Sequence, residues 1–592
     1  MKNKNEKLEL LRHSLSHILM QALTRLYGAI PGVGPAIENG FYHDIDAEYQ
    51  ITAEDIPKIE KEMKKIIKAN YPIEKKVMPI DEGIKFLKEK GYIYTAELAE
   101  DLKKEGKAEI TFYQQAEFIN MCKGPHLEAT GKINPDGFKL TKLAGAYWKG
   151  DEKNKMIQRL YGVAFETKDE LEKYLKMMEE AEKRDHRKIG SELDLFSFSR
   201  GSAGLPGSVY WHPKGTIIYQ EIISYIREKL KKFNYGEIRT PMILNRELWK
   251  KSGHWEKYKE NMFFAADTSD IEDIRKGKSP VWGIKPMNCP GAIAGIYNAK
   301  KRSYKEFPLR IAEFGMVYRN EEKGVIHGLF RARAFTQDDA HIFCTEDQLI
   351  SEIEALIDIV LSTYKDFGFD DINTELSTRP KKYIGSLKTW DKAEKILEAS
   401  LKNTKLKFVI NEGDGAFYGP KIDFHIKDAL NRSWQLGTIQ LDFSMPEKLD
   451  AKFTDKDGKE KAPIMLHRAV LGSLERFIGI LVEHYGGAFP LWLSPVQVKI
   501  ISVGEGHIEF CNKLADEFKE QNVRVEVDSN DETVGNKIRK ARTEKIPYVL
   551  VIGDKEMNSD KLHINVRGKK EIIEMTKNNF FGKIKEEIGE RV

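Results

Sequence analysis

Arg319 and Arg331 flank a single loop, each on a β-like arm: Phe314-Gly315-Met316-Val317-Tyr318-Arg319-Asn320-Glu321 on one side, Gly328 through His341 on the other. Two guanidiniums so placed can clamp phosphate oxygens bidentately; an arginine on a strand serves equally well in a surface ion pair. A third, Arg476, opens a helical segment in Gly472-Ser473-Leu474-Glu475-Arg476-Phe477, and Thr240-Pro241-Met242 precedes a polar loop. Near the start of the chain, His13 and His17 have the i, i+4 spacing that puts both imidazoles on one helix face. Met121-Cys122-Lys123-Gly124-Pro125-His126 adds a thiol and an imidazole beside a Gly-Pro turn. These four residues read either as a metal site or as a helix with polar caps beside a structural thiol. Near the other end, Lys537, Arg539, Lys540, Arg542 and Lys545 fall on one basic stretch, suited to a phosphate backbone or to a solvated charged face.

The elements that must hold these groups follow from periodicity. Leu8, Leu11, Leu15, Ile18, Leu19, Ala22 and Leu26 recur at helical spacing up to Tyr27, and Pro31-Gly32-Val33-Gly34-Pro35 breaks that helix. Short β-like runs and loops are expected from there to about Phe165. Thr167 to Ile189, rich in Glu, Lys, Leu and Met and free of Gly and Pro, predicts one long exposed helix joining two domains. After the turn-rich stretch 199–207, strand-like runs (Lys407 to Ile410, Leu436 to Phe443) mix with helices (Gln220 to Phe233, Asp347 to Phe367), the pattern of an α+β region with antiparallel strands. From Ser494 strand and helix alternate: Val496 to Val503, Ile508 to Gln521, Val523 to Val527, Gly535 to Glu544, Tyr548 to Ile552. That alternation predicts a parallel α/β unit. The expected division is 1–165, a linker helix at 166–190, then 191–490 and 491–592.

Composition narrows the class. A chain of 592 residues is long enough for several domains, and 41% hydrophobic with 10% aromatic residues excludes a disordered chain. Lys+Arg 96 against Asp+Glu 92 gives a net charge of +4, so a nucleic-acid partner would have to be met by local basic patches. The four cysteines, Cys122, Cys289, Cys344 and Cys511, are widely spaced without a C-x-x-C pair, which argues against a disulfide framework and for a reducing compartment. No leader-like N-terminus and no run of 18 apolar residues is present, so a soluble cytoplasmic protein without a membrane partner is expected.

The segments around Thr240, Arg319 to Arg331, and Arg476 resemble motifs 1, 2 and 3 of class II aminoacyl-tRNA synthetases. Lys285-Pro286-Met287-Asn288-Cys289-Pro290-Gly291, Phe335-Thr336-Gln337-Asp338-Asp339-Ala340-His341, Gly415-Ala416-Phe417-Tyr418-Gly419-Pro420-Lys421 and Leu466-His467-Arg468-Ala469 narrow the resemblance to the threonyl-tRNA synthetase family. It runs from about residue 8 to the C-terminus. It implies a multidomain α+β and α/β protein: an N-terminal α+β editing domain, an antiparallel class II catalytic core and a C-terminal α/β anticodon-binding domain. The implied activity is ATP-dependent attachment of threonine to tRNA(Thr) through a threonyl-adenylate, by a homodimer, with hydrolytic editing of seryl-tRNA. The implied ATP site, with Mg2+, holds Arg319, Glu321, Arg331, Phe335, Gln435 and Arg476, with Phe335 and Arg476 sandwiching adenine. One Zn2+ per chain is implied on Cys289, His341 and His467, scattered residues that spacing alone reads as a core thiol and satisfied histidines. Gln337 and Asp339 are implied beside the bound amino acid, with Tyr418 and Gln440 in support; His13, His17, Cys122 and His126 are the implied editing residues and Glu556 an anticodon contact.

Departures from the family pattern qualify this. His13 comes so early that the ubiquitin-like domain of many bacterial members is expected to be absent. Asn120 stands where an Asp is usual and Thr95 where a Lys of the preceding strand is usual, so editing is expected to be weakened: Asn orients water but is no general base near pH 7. Ala292 replaces a His after Cys-Pro-Gly, and Ser529-Asn530-Asp531 and Asn565 depart from the usual anticodon-reading text. Two rivals remain in view. A synthetase-like RNA-binding regulator would be expected to have lost the ATP arginines and zinc ligands, and a serine- or proline-charging enzyme of the same fold would lack the zinc set.

Overall fold

The computed structural model describes residues 2–199, 204–268, 270–276, 282–430 and 432–591, so part of the turn-rich stretch 199–207 lies outside the described residues. The chain forms two compact units, residues 1–180 and 181–592.

In the first unit, helix α1 (Lys2–Tyr27) buries Leu11, Leu15, Ile18, Leu19, Ala22 and Leu23 against an antiparallel sheet whose longer strands are β1 (Gly40–Asp46), β5 (Phe138–Tyr147) and β6 (Met156–Ala164). Between β1 and β5 the chain is not confined to short strands and loops. It forms helices α2 (Ile56–Ala69), α3 (Ile80–Glu89) and α4 (Ile93–Lys104), and a second antiparallel sheet of β2 (Ile73–Pro79), β3 (Glu109–Gln115) and β4 (Phe118–Met121). α2 is helical because Ile59, Met63, Ile66 and Ile67 make one buried stripe, with Pro57 tolerated in its first turn. Thr95 accordingly sits on α4, not on a strand.

The single helix expected over 167–189 is two, α5 (Lys168–Lys183) and α6 (His186–Glu192). Asp185 leaves helical geometry and its side chain caps α6, accepting from Arg187 N–H at 2.8 Å.

The second unit is built on an eight-stranded sheet. Its strands in chain order are β7 (Gly236–Glu237), β8 (Leu309–Tyr318), β9 (Ala334–Cys344), β10 (Ile372–Ser377), β11 (Phe408–Asn411), β12 (Lys421–Lys427), β13 (Ser433–Asp442) and β14 (Ile464–Ala469). The order across the sheet is β7-β8-β9-β14-β13-β12-β10-β11, antiparallel except for the parallel pairs at its two ends. Three helices that pack into its core are α7 (Pro213–Lys232), α8 (Leu349–Asp366) and α10 (Leu474–Tyr485), with α9 (Leu387–Asn403) beside α8. α10 is fixed at its start by Ser473, which accepts from Arg476 N–H at 3.1 Å, and ends at Gly486 in left-handed geometry.

From Val498 a second sheet follows: β15 (Val498–Ser502), β16 (Val525–Asp528), β17 (Tyr548–Ile552), β18 (Lys561–Val566) and β19 (Ile572–Thr576), in the order β16-β15-β17-β18-β19. β15 runs parallel to both neighbours, but β18 and β19 turn back antiparallel, so the sheet is mixed rather than parallel. The hairpin needs only a short connection, whereas a parallel strand would need a crossover. Helices α11 (Ile508–Glu520) and α12 (Val534–Thr543) lie between these strands in sequence. No helix among the described residues is long and apolar enough to cross a membrane.

Candidate active site

One strand lays out most of the second unit's site. Along β9 the half-buried residues Phe335, Gln337 and Asp339 alternate with buried Thr336, Asp338 and Ala340, so the odd-numbered side chains, His341 included, share one face. The buried face fixes the register. Asp338 takes hydrogen bonds from Arg468 Nη1 at 3.1 Å, Val470 N–H at 2.8 Å and Leu471 N–H at 2.9 Å, tying β9 to β14.

In that register His341 lies directly opposite His467, ring centroids 5.3 Å apart and nearly perpendicular. Cys289, at the start of the one-turn helix Cys289–Gly291, completes a buried triad whose donor atoms lie within 4.8 Å of one another. Burial pushes the Cys289 thiol well up and His341 down to about 4. Neither His341 nitrogen has a hydrogen-bond partner among the described residues; the Asp339 carboxylate stands 3.8 Å from Nε2. His467 is held by Asp442 at 3.1 Å, whose other oxygen is fixed by the N–H groups of Ser444 and Met445. A buried thiol and two imidazoles, one wholly unpartnered and one oriented by a carboxylate, form an unsatisfied donor set of the kind a divalent cation of intermediate softness fits. Around it, Tyr418 O–H donates to Gln440, which faces His467 from β13, and Asn288 donates to Asp339 at 3.2 Å.

Arg319 and Arg331 stand just beyond the paired strands, which end at Tyr318 opposite Ala334, so both belong to the loop rather than to its arms. Arg319 donates to Pro286 O at 3.3 Å and lies 5.1 Å from the Phe335 ring centroid. Arg331 is 56% exposed and donates to Glu321 at 3.0 Å. Arg476 lies 5.9 Å from the Trp434 ring, and its buried Nε is unpartnered among the described residues; burial, then the nearby Arg331, lowers its pKa. Gln435 donates to Asp423 at 2.8 Å. His254, which sequence reasoning passed over as one histidine in polar text, is buried with Nδ1 2.8 Å from Ser252 Oγ; burial and then His467 push it down to about 4.

In the first unit all four sequence-selected residues come together, their donor atoms within 4.8 Å of one another, and His13, His17 and Cys122 line a cleft of about 750 Å3. Cys122 Sγ lies 3.2 Å from His13 Nε2 and 3.3 Å from His126 Nε2, and His17 packs 4.2 Å from the His126 ring. Burial raises the Cys122 pKa and lowers those of His13, His17 and His126, the last to about 3. Thr95 and Asn120 line the same cleft, and Asn120 Oδ1 accepts from Met121 N–H at 2.9 Å. His43 also lines it, its Nδ1 within 3.2 Å of Ser16 O. The only sequence signal for His43 is its place in the run Phe41-Tyr42-His43-Asp44.

The basic helix α12 corrects one expectation. Lys537 is buried and donates to Ser502 O at 2.9 Å, so it is spent inside the fold; Arg539, Lys540 and Arg542 remain on the helix surface. Glu556 accepts from Gly553 N–H at 3.0 Å and pairs with His563 Nδ1 at 2.7 Å.

Three family models match successive parts of the chain. The threonyl and alanyl tRNA synthetase second additional domain matches residues 110–161, the tRNA synthetase class II core domain (G, H, P, S and T) 275–485, and the anticodon binding domain 497–587. A threonine–tRNA ligase of Clostridium tetani is 50% identical over 582 residues, 98% of this chain and 88% of that protein. One from Carboxydothermus hydrogenoformans is 51% identical over 565 residues, 95% of this chain and 86% of that protein. The crystal structure of the RNA binding domain of threonyl-tRNA synthetase from Cryptosporidium parvum superposes with a TM-score of 0.64 at 38% identity, covering 68% of this chain and 98% of that one.

Proposed function

This chain belongs to the threonine–tRNA ligase family, and on that premise we propose how its own residues divide the work. The enzyme charges tRNA with threonine and carries an editing domain. ATP, bound with Mg2+, is the energy source consistent with a class II core.

In activation, a threonine carboxylate oxygen attacks the α-phosphorus of ATP, forming threonyl-adenylate and releasing pyrophosphate. Arg319 and Arg331 hold the phosphate oxygens while charge shifts onto the leaving group, with Glu321 orienting Arg331. Phe335 and Arg476 grip the adenine, and Gln435 borders it. Asp339 accepts a hydrogen bond from the amino group of threonine, and Gln337, Tyr418 and Gln440 shape the pocket beside it. Cys289, His341 and His467 would hold Zn2+, which when bound offers open positions to the amino and hydroxyl groups of threonine and so refuses valine. The observation that carries this reading is the buried His341, unpartnered at both nitrogens among the described residues and facing His467 and Cys289. Aminoacylation of tRNA(Thr) with threonine, valine and serine tests it: threonine is charged, valine is not, and serine is activated. Efficient valine charging would overturn it.

Serine keeps the hydroxyl and lacks one methyl group, a difference worth roughly 10–200-fold, which calls for a second sieve. His13, His17, Cys122 and His126 form that sieve, where a water attacks the ester carbonyl of seryl-tRNA, an imidazole takes its proton and returns it to the departing ribose oxygen as the ester C–O bond breaks, and serine and uncharged tRNA are released. Burial keeps these rings in the basic form. Because the folded pKa values lie below the ordinary imidazole range, hydrolysis should hold as pH falls through about 6.5 and decline only below it. Asn120 supplies no carboxylate, so Asn120→Asp is expected to speed seryl-tRNA hydrolysis and leave threonine charging unchanged. An unaltered rate would remove the importance given to that position.

Glu556 and the exposed basic face of α12, without Lys537, are the proposed contacts with the anticodon stem and loop. The chain is proposed to act in the cytoplasm as a homodimer through 237–242, where β7 closes one end of the sheet and the next residue, Ile243, is 51% exposed. Sedimentation should give twice 68.1 kDa; an active monomer at micromolar concentration would contradict it.

A further inference from the structure

His186, the first residue of α6, is fully buried, and each polar atom of its ring has one partner. Its backbone N–H and its Nδ1 both reach the same Glu483 oxygen, at 3.0 and 2.7 Å. On the other side of the ring, Nε2 accepts from Leu329 N–H at 3.0 Å. A carboxylate at Nδ1 and an amide donor at Nε2 together select the Nδ1–H tautomer. With both nitrogens used, the cluster of Asp185, His186 and Glu483 has no imidazole lone pair to offer a metal ion.

Leu329 lies two residues before Arg331, in the turn Gly328–Phe330. Gly328 has φ +52°, and a Cβ there would come within 2.2 Å of His186 Nε2, so the loop backbone sits directly on the imidazole. Phe330 is flanked by the His186 ring at 4.2 Å and the Trp434 ring at 4.3 Å. The same assembly returns to α10. Glu483 also binds Arg432, Arg432 binds Asp428 at 2.6 Å, and Asp428 accepts from Trp434 Nε1 at 2.9 Å. Trp434 in turn lies under Arg476. One connected set of buried and half-buried contacts therefore joins the loop carrying Arg331 to the helix carrying Arg476.

We infer that His186, backed by Glu483, is a positioning residue for the nucleotide: its Nε2 sets the register of the 327–331 loop and thereby where the Arg331 guanidinium points. This rests on the reading of Arg331 as a phosphate contact. Arg331 is mostly exposed and Glu321 is the side chain that orients it, so the loop backbone must supply the rest of its placement.

Two substitutions separate positioning from packing. Asparagine places its amide nitrogen where Nδ1 stands, keeping the donor to Glu483 and removing the acceptor for Leu329; glutamine places a carbonyl oxygen near Nε2 and keeps that acceptor. In threonine-dependent ATP–pyrophosphate exchange, His186→Asn should raise KM for ATP roughly tenfold with KM for threonine unchanged, because a buried N–H loses its partner. His186→Gln should stay within about threefold of the parent. R331A should raise KM for ATP on its own, and adding H186N to it should cost little more, since both act on one contact. If R331A raises KM for ATP and H186N does not, or if H186N raises both KM values alike, the inference fails while the phosphate role of Arg331 stands. If R331A itself is silent, that role fails and the inference with it.

Discussion

The second unit depends on the side-chain alternation of a single strand. β9 carries Phe335, Gln337, Asp339 and His341 on one face, and the six steps of extended chain from Phe335 to His341 span about 20 Å, enough to reach from the proposed adenine end of the site to the Cys289, His341 and His467 donor set. A slip of one residue would turn all four to the opposite face. Asp338 prevents it from beneath, holding Arg468 and two backbone N–H groups of the following segment. A buried carboxylate is costly to desolvate, and burial pushes this one up to about 6 even with Arg468 beside it. What it contributes is register, and the chemistry on the other face is a consequence of that register.

The first unit solves a different problem with a similar economy of parts. One helix face presents His13 and His17, and the segment after β4 brings Cys122 and His126 against them. Burial, and for His17 and His126 the neighbouring imidazoles, disfavours the charged forms of His13, His17 and His126, the state that the proposed proton-acceptor role requires. Asn120, with its carbonyl oxygen engaged by the next backbone N–H, lines the same cleft without adding charge.

Much of this was legible in the sequence where local pattern decides the outcome. The helix bearing His13 and His17, the α10 start that places Arg476 and the strand Tyr548–Ile552 follow from periodicity and capping. α2 was missed because its charged residues outnumber the four apolar ones that bury it, so its short stripe reads as loop. The break at Asp185 was missed because helix propensity runs straight through it; the cap and the burial of His186 on Glu483 decide it instead. Lys537 looked like its basic neighbours until the fold turned it inward onto Ser502 O. The triad of Cys289, His341 and His467 comes from three distant segments, so only family resemblance could assemble it from sequence; the sheet register then accounts for the two histidines, and the one-turn helix Cys289–Gly291 brings in the thiol.

The buried donor set of Cys289, His341 and His467 is proposed to hold a cation. The most direct measurement is metal analysis of the purified enzyme together with the absorption spectrum of a cobalt-exchanged sample. One divalent ion per chain, with a thiolate-to-cobalt charge-transfer band that disappears in Cys289→Ser, is the predicted result. Full threonine activation by protein shown to contain no stoichiometric metal, or a cobalt spectrum indifferent to Cys289→Ser, would contradict the account.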